Sequence, residues 1–516
     1  MTLSNLGLRS RNNSLIILFL LVMAVYLPSL FNDFTYDDRL VLIDSDILSS
    51  GWKSISMIFS KDYFTKFGEA TFRPVVTLSY IFQAPFSWEK PFVFHYVNIF
   101  LHFLVVLCIY FFLERKGFSS AAFVGAALFA IHPAHSEAVL AIGFREDLLA
   151  TLFVLGAILW FNSESGSTLL MGSICCLFAY FSKESAAVLP GLVVISGLWR
   201  NPSESRKFPI KAFVCSIVAL MVYLAIYLFI MNNPSNQTTS SLGGNTIFRL
   251  LHFPSLFYRY LLISVFPAGL CVDHLILPME SFTHQFWLGC GFLLLGITLG
   301  YRFFPSFGAG FLWFLISLTP VSNFFPIEHP FAERYLYLPM VGLALLSAHF
   351  WETPTGRFGR SKSAFFLIVA LAFSARTFIR TFDFKDARSL FTSSIQYPCA
   401  KSTYVGLALT YLDKNDLQPE KAFPLLKKAL DLDPTAVKTY DSLGLAYILN
   451  NQYDEAIRCL NKAIELNPDY YHSYNYRAVA LLYKGRRNEA LRDVEQLIRM
   501  GGVPIPELLR VLNLKK

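Results

Sequence analysis

Charge is scarce in this sequence. Only 16% of its 516 residues are Asp, Glu, Lys or Arg, against about 25% in an ordinary soluble domain, and 54% are hydrophobic. Too little charge is present to solvate the surface of a soluble chain of this length, so most of the protein is expected to lie in a membrane. The net charge of +8 does not read as a nucleic-acid footprint. Lys and Arg fall in short clusters between apolar runs rather than along one face, as loops flanking membrane spans do. Cysteine is also sparse: of eight, none has C-x-x-C spacing, and Cys108, Cys175, Cys176, Cys215 and Cys290 lie inside apolar runs. No disulfide framework or thiolate metal knuckle is expected.

Long apolar runs, in contrast, are abundant. Runs able to cross, or nearly cross, a core of about 30 Å occur at Ser14–Phe31, Phe92–Leu113, Ser120–His132, Leu148–Phe161, Leu169–Phe181, Ala187–Trp199, Phe213–Met231, Phe286–Leu299, Phe311–Val321, Tyr337–Trp351 and Phe365–Phe373. They give about eleven spans. The first is expected to be an uncleaved span, because it ends in Leu-Phe-Asn-Asp with no small-x-small cleavage site. The clusters Arg9/Arg11, Arg115/Lys116, Arg200/Arg206/Lys207/Lys211, Arg302 and Arg357/Arg360/Lys362 all fall on one side if the N-terminus is cytoplasmic. That parity requires 246-TIFRLLHFPSLFYRYLLISVFP-267 not to cross, and its Arg249, His252, Pro254 and Arg259 suit an interfacial or re-entrant helix pair. An odd number of crossings then places the C-terminal region on the periplasmic or lumenal face.

From about Tyr404 the apolar runs give way to amphipathic periodicity. The segments 430-LDLDP-434 and 464-IELNP-468 are offset by 34 residues, the tetratricopeptide period. The middle repeat carries Tyr440, Leu443, Gly444, Tyr447, Ala456, Leu460, Ala463 and Pro468 at the expected offsets. A preceding repeat has about two extra residues in its inter-helix turn, a following one ends at Gly501-Gly502, and Pro504 to Leu512 reads as a capping helix. The predicted organisation is a membrane domain over 1–380, a linker over 381–402 and a repeat domain over 403–516. The fold class is all-α: a polytopic membrane protein with a C-terminal α-solenoid.

Ionisable residues in or beside spans are costly and tend to be functional. On this topology the outer face collects 36-YDD-38, 72-FRP-74, 131-IHPAHSEAV-139, 143-GFREDLLA-150, 182-SKE-184 and 326-PIEHPFAERYLYLP-339. With 95-HYVNIFLH-102 and the repeats, these motifs resemble the transmembrane-and-tetratricopeptide O-mannosyltransferase family of the GT-C superfamily, polytopic glycosyltransferases with lipid-phosphate sugar donors. The resemblance covers nearly the whole chain. It departs from the pattern in a short repeat array and in Gly-Phe-Arg-Glu-Asp where Gly-Arg-x-Asp is expected.

The resemblance implies a GT-C-like membrane fold and an inverting transfer of a hexose, mannose by the family, from a polyprenyl phosphate to Ser or Thr hydroxyls of an outer-face protein docked by the repeats. Inversion needs a general base at the acceptor and cations on the leaving phosphate. Asp38 or Asp37 is the expected base, with Asp38 preferred and its neighbour holding Arg39 or nearby backbone. Arg145, Lys183 and Arg334 are the expected phosphate ligands, supported by Arg73, His132, His135, Glu137, Asp147, Glu184 and Glu333. His132, His135 and Glu137 could bind a divalent metal together with Asp37; the alternative is a helix cap with hydrogen-bonded imidazoles. Lys183-Glu184 and Glu333-Arg334 also read as salt bridges, and 236-NQT-238 fits a glycosylation acceptor.

A different class of function, a carrier for a lipid-linked sugar, would need ionisable groups near the bilayer midplane, whereas here they gather at one face. The short array and the lack of an ER-retention tail favour a bacterial inner membrane over the ER. The topology predicts that a reporter fused after Lys516 is active outside the cytoplasm and one near Arg360 inside. Activity of both on one side would overturn the orientation.

Overall fold

The computed structural model describes residues 11–38, 41–42, 51–58, 60, 63, 71–87, 90–118, 121–162, 165–199, 209–230, 246–275, 283–303, 306–324, 327, 329–353, 359–414 and 416–512. The chain forms two compact units, one of Met1–Leu270 and Ile276–Asp386, the other of Cys271–Leu275 and Ala387–Lys516. Among the described residues there is no strand, and the architecture is all-α.

The first unit contains α1 (Arg11–Tyr26), α2 (Pro74–Ser87), α3 (Pro91–Arg115), α4 (Ala121–Ala130), α5 (Ser136–Leu140), α6 (Arg145–Trp160) and α7 (Gly166–Tyr180). These are followed by α8 (Leu189–Leu198), α9 (Ile210–Ile230), α10 (Thr246–Val265), α11 (His284–Arg302), α12 (Ser306–Leu318), α13 (Met340–Glu352) and α14 (Gly359–Asp383). Its spine is α3, which starts with proline at its first turn and ends before Gly117, whose positive φ of 93° stops the helix. His95, Asn98 and His102 share the inward face of α3, an arrangement tolerable in apolar surroundings only with partners. His102 has them: its two ring nitrogens meet the Tyr337 hydroxyl at 2.6 Å and the Ala130 carbonyl at 3.0 Å.

Among the described residues four helical stretches are long and apolar enough to cross a membrane: Arg11–Phe31, Pro91–Arg115, Ile210–Ile230 and Ser361–Asp383. The bent pair formed by Ala121–Ala130 and Pro133–Leu140, with a 51° angle between its parts, makes a fifth candidate. The protein is a membrane protein; among the described residues the helices that pass this length and composition test do not by themselves make up the about eleven spans expected. Glycine, proline and 3₁₀ turns cut other apolar runs to short helices such as Gly166–Tyr180, Glu184–Leu198 and Phe307–Val321. The segment 246–267, expected to be an interfacial or re-entrant helix pair, forms one continuous helix, α10, over Thr246–Val265 with Pro254 inside it. Proline removes a helical hydrogen bond, and the close approach of α11 covers the spot. A Cβ at Gly289 would stand 1.9 Å from the Pro254 carbonyl oxygen, so only glycine fits.

The second unit is a solenoid of α15 (Ala387–Ser394), the pairs α16 (Lys401–Thr410) with α17 (Pro419–Leu432), α18 (Val437–Leu449) with α19 (Tyr453–Leu466) and α20 (Tyr471–Tyr483) with α21 (Arg487–Arg499), and the closing α22 (Pro506–Leu512). Each pair's turn is closed by one main-chain bond: Gln418 N to Tyr411 O, Gln452 N to Tyr447 O and Arg486 N to Leu481 O, the first spanning the two extra residues read from the sequence. Ala456, Leu460, Ala478, Ala490 and Val494 are buried between successive helices, and Leu508 and Leu512 of α22 close that core. A Cβ on Gly444 would lie 2.5 Å from the Leu460 side chain, which explains the small residue there. Asn475 ties the chain leading to α22, donating to the Val503 carbonyl and accepting from the Ile505 amide, both at 3.1 Å. The segment Cys271–Leu275 joins this unit through Leu275 N to Pro398 O at 3.2 Å, Ala400 N to Asp273 O at 2.9 Å and a hydrogen bond from Ser402 to the Asp273 carboxylate.

Asp441 is buried in the solenoid, where it accepts from Ser473 Oγ at 2.7 Å, and burial pushes its pKa up to about 6. A carboxyl raised in the folded state contributes stability that is full below its unfolded pKa, near 4, and is lost as pH rises through about 6. Asp441→Asn keeps the acceptor without the charge. Urea unfolding of the repeats should therefore show the variant more stable than wild type by about 1–2 kcal/mol at pH 7, with the gap closing toward pH 4. A gap independent of pH would contradict this account.

Candidate active site

The polar motifs sit at helix ends and on short 3₁₀ turns, and helix hairpins bring them together. α6 opens with Glu146 and Asp147 in its first turn, where carboxylates suit the positive end of the helix dipole. A short connection capped by Ser165, which accepts from Thr168 N, returns the chain through α7, so the end of α7 meets the start of α6. Lys183 lies just past α7, and its ammonium donates to Asp147 Oδ2 at 2.6 Å and stands 3.7 Å from Glu146. Arg73, immediately before Pro74 at the head of α2, donates to Glu146 at 3.1 Å and to Glu184 at 3.2 Å. Lys183, Glu146 and Asp147 are buried, whereas the Arg73 and Glu184 side chains are 22% and 37% exposed. The lattice therefore has a closed floor and an open rim.

A second pair adjoins it. The 3₁₀ turn Glu333–Leu336 leads toward α13 and carries Arg334, whose amide donates to Glu137 Oε2 at 2.9 Å and whose guanidinium is salt-bridged to the same carboxylate. That guanidinium lies 4.0 Å over the Phe144 ring and 5.1 Å from the Tyr335 ring; Lys183 is 5.3 Å from Tyr335. Tyr335 thus lies within cation–π range of both cations. Phe144 in turn touches the Tyr36 ring at 5.5 Å, which brings the loop after α1 to the cluster.

Within that loop the two acids differ. Asp38 is fully buried and accepts from Thr35 N at 2.9 Å on one oxygen and from Gly143 N at 2.6 Å on the other. Burial pushes its pKa up to about 7 despite these donors. Asp37 is exposed and follows Tyr36, whose φ of 51° is rare for a side-chain-bearing residue and turns the chain outward at this point.

Not every expected ligand arrives. Arg145 is buried, but its guanidinium bonds Asn98 Oδ1 at 2.7 Å, Ser79 Oγ at 3.1 Å and the Phe94 carbonyl at 3.2 Å, and it stacks 4.5 Å over Tyr80. It fastens α6 to α2 and α3 rather than standing with Lys183 and Arg334. The candidate metal ligands His132, His135, Glu137 and Asp37 are not brought together as a set among the described residues. His132 caps the turn Pro133–His135 by accepting from Ala134 N and donates to the Ser264 carbonyl at 3.1 Å, His135 packs 4.2 Å from Phe129 and 4.8 Å from Tyr337, and Glu137 holds Arg334. Among the described residues no three His, Cys, Asp or Glu side chains converge as metal ligands. Lys183 pairs with Asp147 rather than Glu184, and Glu333 stands 3.8 Å from Arg380. Arg39, Glu328 and the Asn236–Thr238 acceptor pattern lie outside the described residues.

Sequence reasoning missed Glu146, which bonds one cation and neighbours another, and Tyr335. Both lie inside motifs already singled out, and the adjacent Glu146-Asp147 pair was itself a signal.

Comparison with known proteins follows the same lines. A tetratricopeptide repeat family model matches residues 438–470. The chain is 26% identical over 404 residues to the Caenorhabditis elegans protein O-mannosyl-transferase F38B6.6, covering 74% of this chain and 57% of that protein. It is 24% identical over 504 residues to human protein O-mannosyl-transferase TMTC3, covering 84% and 53% respectively, and 25% identical over 502 residues to human TMTC1, covering 81% and 55%. The chain spans about half the length of these curated relatives. Over most of its own length, then, the chain is similar to the protein O-mannosyl-transferases of this group, and it carries candidate membrane helices and tetratricopeptide repeats.

Proposed function

We propose that the protein is an inverting glycosyltransferase that moves a hexose, mannose by its relatives' names, from a polyprenyl phosphate to Ser or Thr hydroxyls of a protein at the periplasmic or lumenal face, with the repeats docking that protein. The observation that carries the proposal is the lattice itself: Arg73, Lys183 and Arg334, from three separate motifs, held at helix ends and turns, with the loop of the exposed Asp37 reaching the cluster through the Tyr36–Phe144 contact. In the step proposed, the anomeric C–O bond to phosphate breaks as the bond to the acceptor oxygen forms. The acceptor proton passes to a carboxylate, and the departing phosphate takes the negative charge. Cations fixed beforehand in low-dielectric surroundings stabilise that charge at little reorganisation cost.

Charge balance says how a phosphate would enter. Three cations face four carboxylates, Glu137, Glu146, Asp147 and Glu184, so an incoming anion must exchange with carboxylates rather than add to them. The rim pair Arg73–Glu184 is the one water already reaches, and opening it costs least. Asp37 is the base in this reading, because its carboxylate is accessible to an acceptor. Asp38, bonded by the main chain on both oxygens, holds the loop against Gly143.

Two outcomes check the division of labour. Asp37→Asn should lower turnover by about 10²–10⁴-fold with donor affinity and thermal stability unchanged. Asp38→Asn should instead lower stability, because its amide nitrogen would face a main-chain N–H. A kinetic defect confined to Asp38→Asn would reverse the roles, and near-normal turnover in both variants would remove the pair from catalysis. For the repeats, a chain ending before Tyr404 should bind donor yet lose most transfer to folded protein acceptors, measured by hexose incorporation. Full modification by the truncated chain would remove the docking role.

A further inference from the structure

The end of α14 touches the chain next to each of three site motifs. Asn32 Nδ2 donates to the Thr381 carbonyl at 2.9 Å, and Asp33 N donates to the Lys385 carbonyl at 2.8 Å, just ahead of Tyr36-Asp37-Asp38. Thr377 Oγ1 donates to the Ile131 carbonyl at 2.7 Å, one residue before His132. Arg380 Nη2 lies 3.8 Å from Glu333 Oε2, one residue before Arg334, and Nη1 bonds Asp383 at 3.0 Å. Thr377, Arg380 and Thr381 have i, i+3, i+4 spacing, so one face of α14 makes these contacts, with Lys385 just past its end adding the bond to Asp33.

Arg380 is the unusual member. Its side chain is 1% exposed, Glu333 is fully buried, and Glu333 is close enough to Glu137 for the two carboxylates to repel. Arg334, on Glu137, therefore has a second buried carboxylate, Glu333, as its chain neighbour. An unbalanced Glu333 charge in low dielectric would draw the nearest cation. With Arg380 supplying that balance, Arg334 keeps its position over Phe144.

We infer that Arg380 is a positioning residue: by neutralising Glu333 it keeps Arg334 on Glu137 and facing the donor phosphate, while the same helix face fixes the loops carrying Asp37 and His132. The inference rests on the proposed role of Arg334 and adds a residue outside every site motif. It makes a charge prediction that packing alone does not make, because the damage from losing Arg380 comes from Glu333 and should disappear when Glu333 is neutralised.

The test titrates the full-length protein in detergent with dolichyl phosphate mannose. Arg380→Met should weaken donor binding at least 10-fold, Arg380→Lys, which keeps the charge, less, and Arg380→Met with Glu333→Gln should return to within about 3-fold of wild type. Unchanged affinity in Arg380→Met, or a loss that Glu333→Gln does not relieve, overturns the inference. If Arg380→Met alone does not fold, the double variant decides: it lacks both charges, so folding with near-normal affinity supports the inference, and folding without donor binding overturns it. Arg334→Gln is measured alongside; if it binds donor normally, the phosphate role of Arg334 fails, an outcome distinct from failure of the coupling to Arg380.

Discussion

Lys183 donates to Asp147 at 2.6 Å and stands 3.7 Å from Glu146, which also receives Arg73 at 3.1 Å. Withdrawing any one of these charges from water costs several kcal/mol, and a single buried pair seldom recovers it. The lattice is tolerable because Arg73, Lys183 and Glu146 each have two oppositely charged neighbours and because Glu146 and Asp147 sit at a helix N-terminus. It joins the head of α2, the head of α6 and the tail of α7, so the ends of three helices are set by one electrostatic arrangement. Removing one partner would leave a buried unpaired charge, at a cost of about 3–5 kcal/mol.

The site around it is held by bonds to the main chain. Asp38 fastens the first loop to Gly143, Glu137 accepts the Arg334 amide, and the end of α14 accepts from Asn32 and Asp33. Loops attached in this way are preorganised, which is what stabilisation of a departing phosphate requires. The same attachments account for the polar stripe of α3, where Asn98 receives Arg145 and His102 meets Tyr337. Residues that would be costly in an apolar interior there connect the spine to the motif-bearing turns.

Much of this was legible in the sequence, and the misses have physical causes. The repeats were readable because their period is enforced by the packing of Gly444, Ala456 and Leu460, and even the longer first turn shows as two extra residues. The site motifs were readable because ionisable residues beside apolar runs are rare. Composition could not give direction. Arg145 belongs to the same motif as Glu146 and Asp147, yet its guanidinium serves α2 and α3, a choice made by Asn98 from a distant point in the chain. Hydropathy ended the last span at Phe373, which left Arg380 outside the search although α14 runs on to Asp383. Hydropathy registers composition and not the breaks between helices, so several apolar runs read as spans correspond to short helices among the described residues.

The central claim is that the buried lattice serves transfer chemistry. The most direct measurement places the purified protein in vesicles with dolichyl phosphate mannose and a folded Ser/Thr-rich acceptor protein on one side, then analyses both acceptor and lipid by mass spectrometry. The account predicts hexose on Ser or Thr, with one dolichyl phosphate released per hexose transferred and with inverted anomeric configuration. Movement of intact dolichyl phosphate mannose across the bilayer, with neither hexose on the acceptor nor free dolichyl phosphate, would contradict it and identify a carrier.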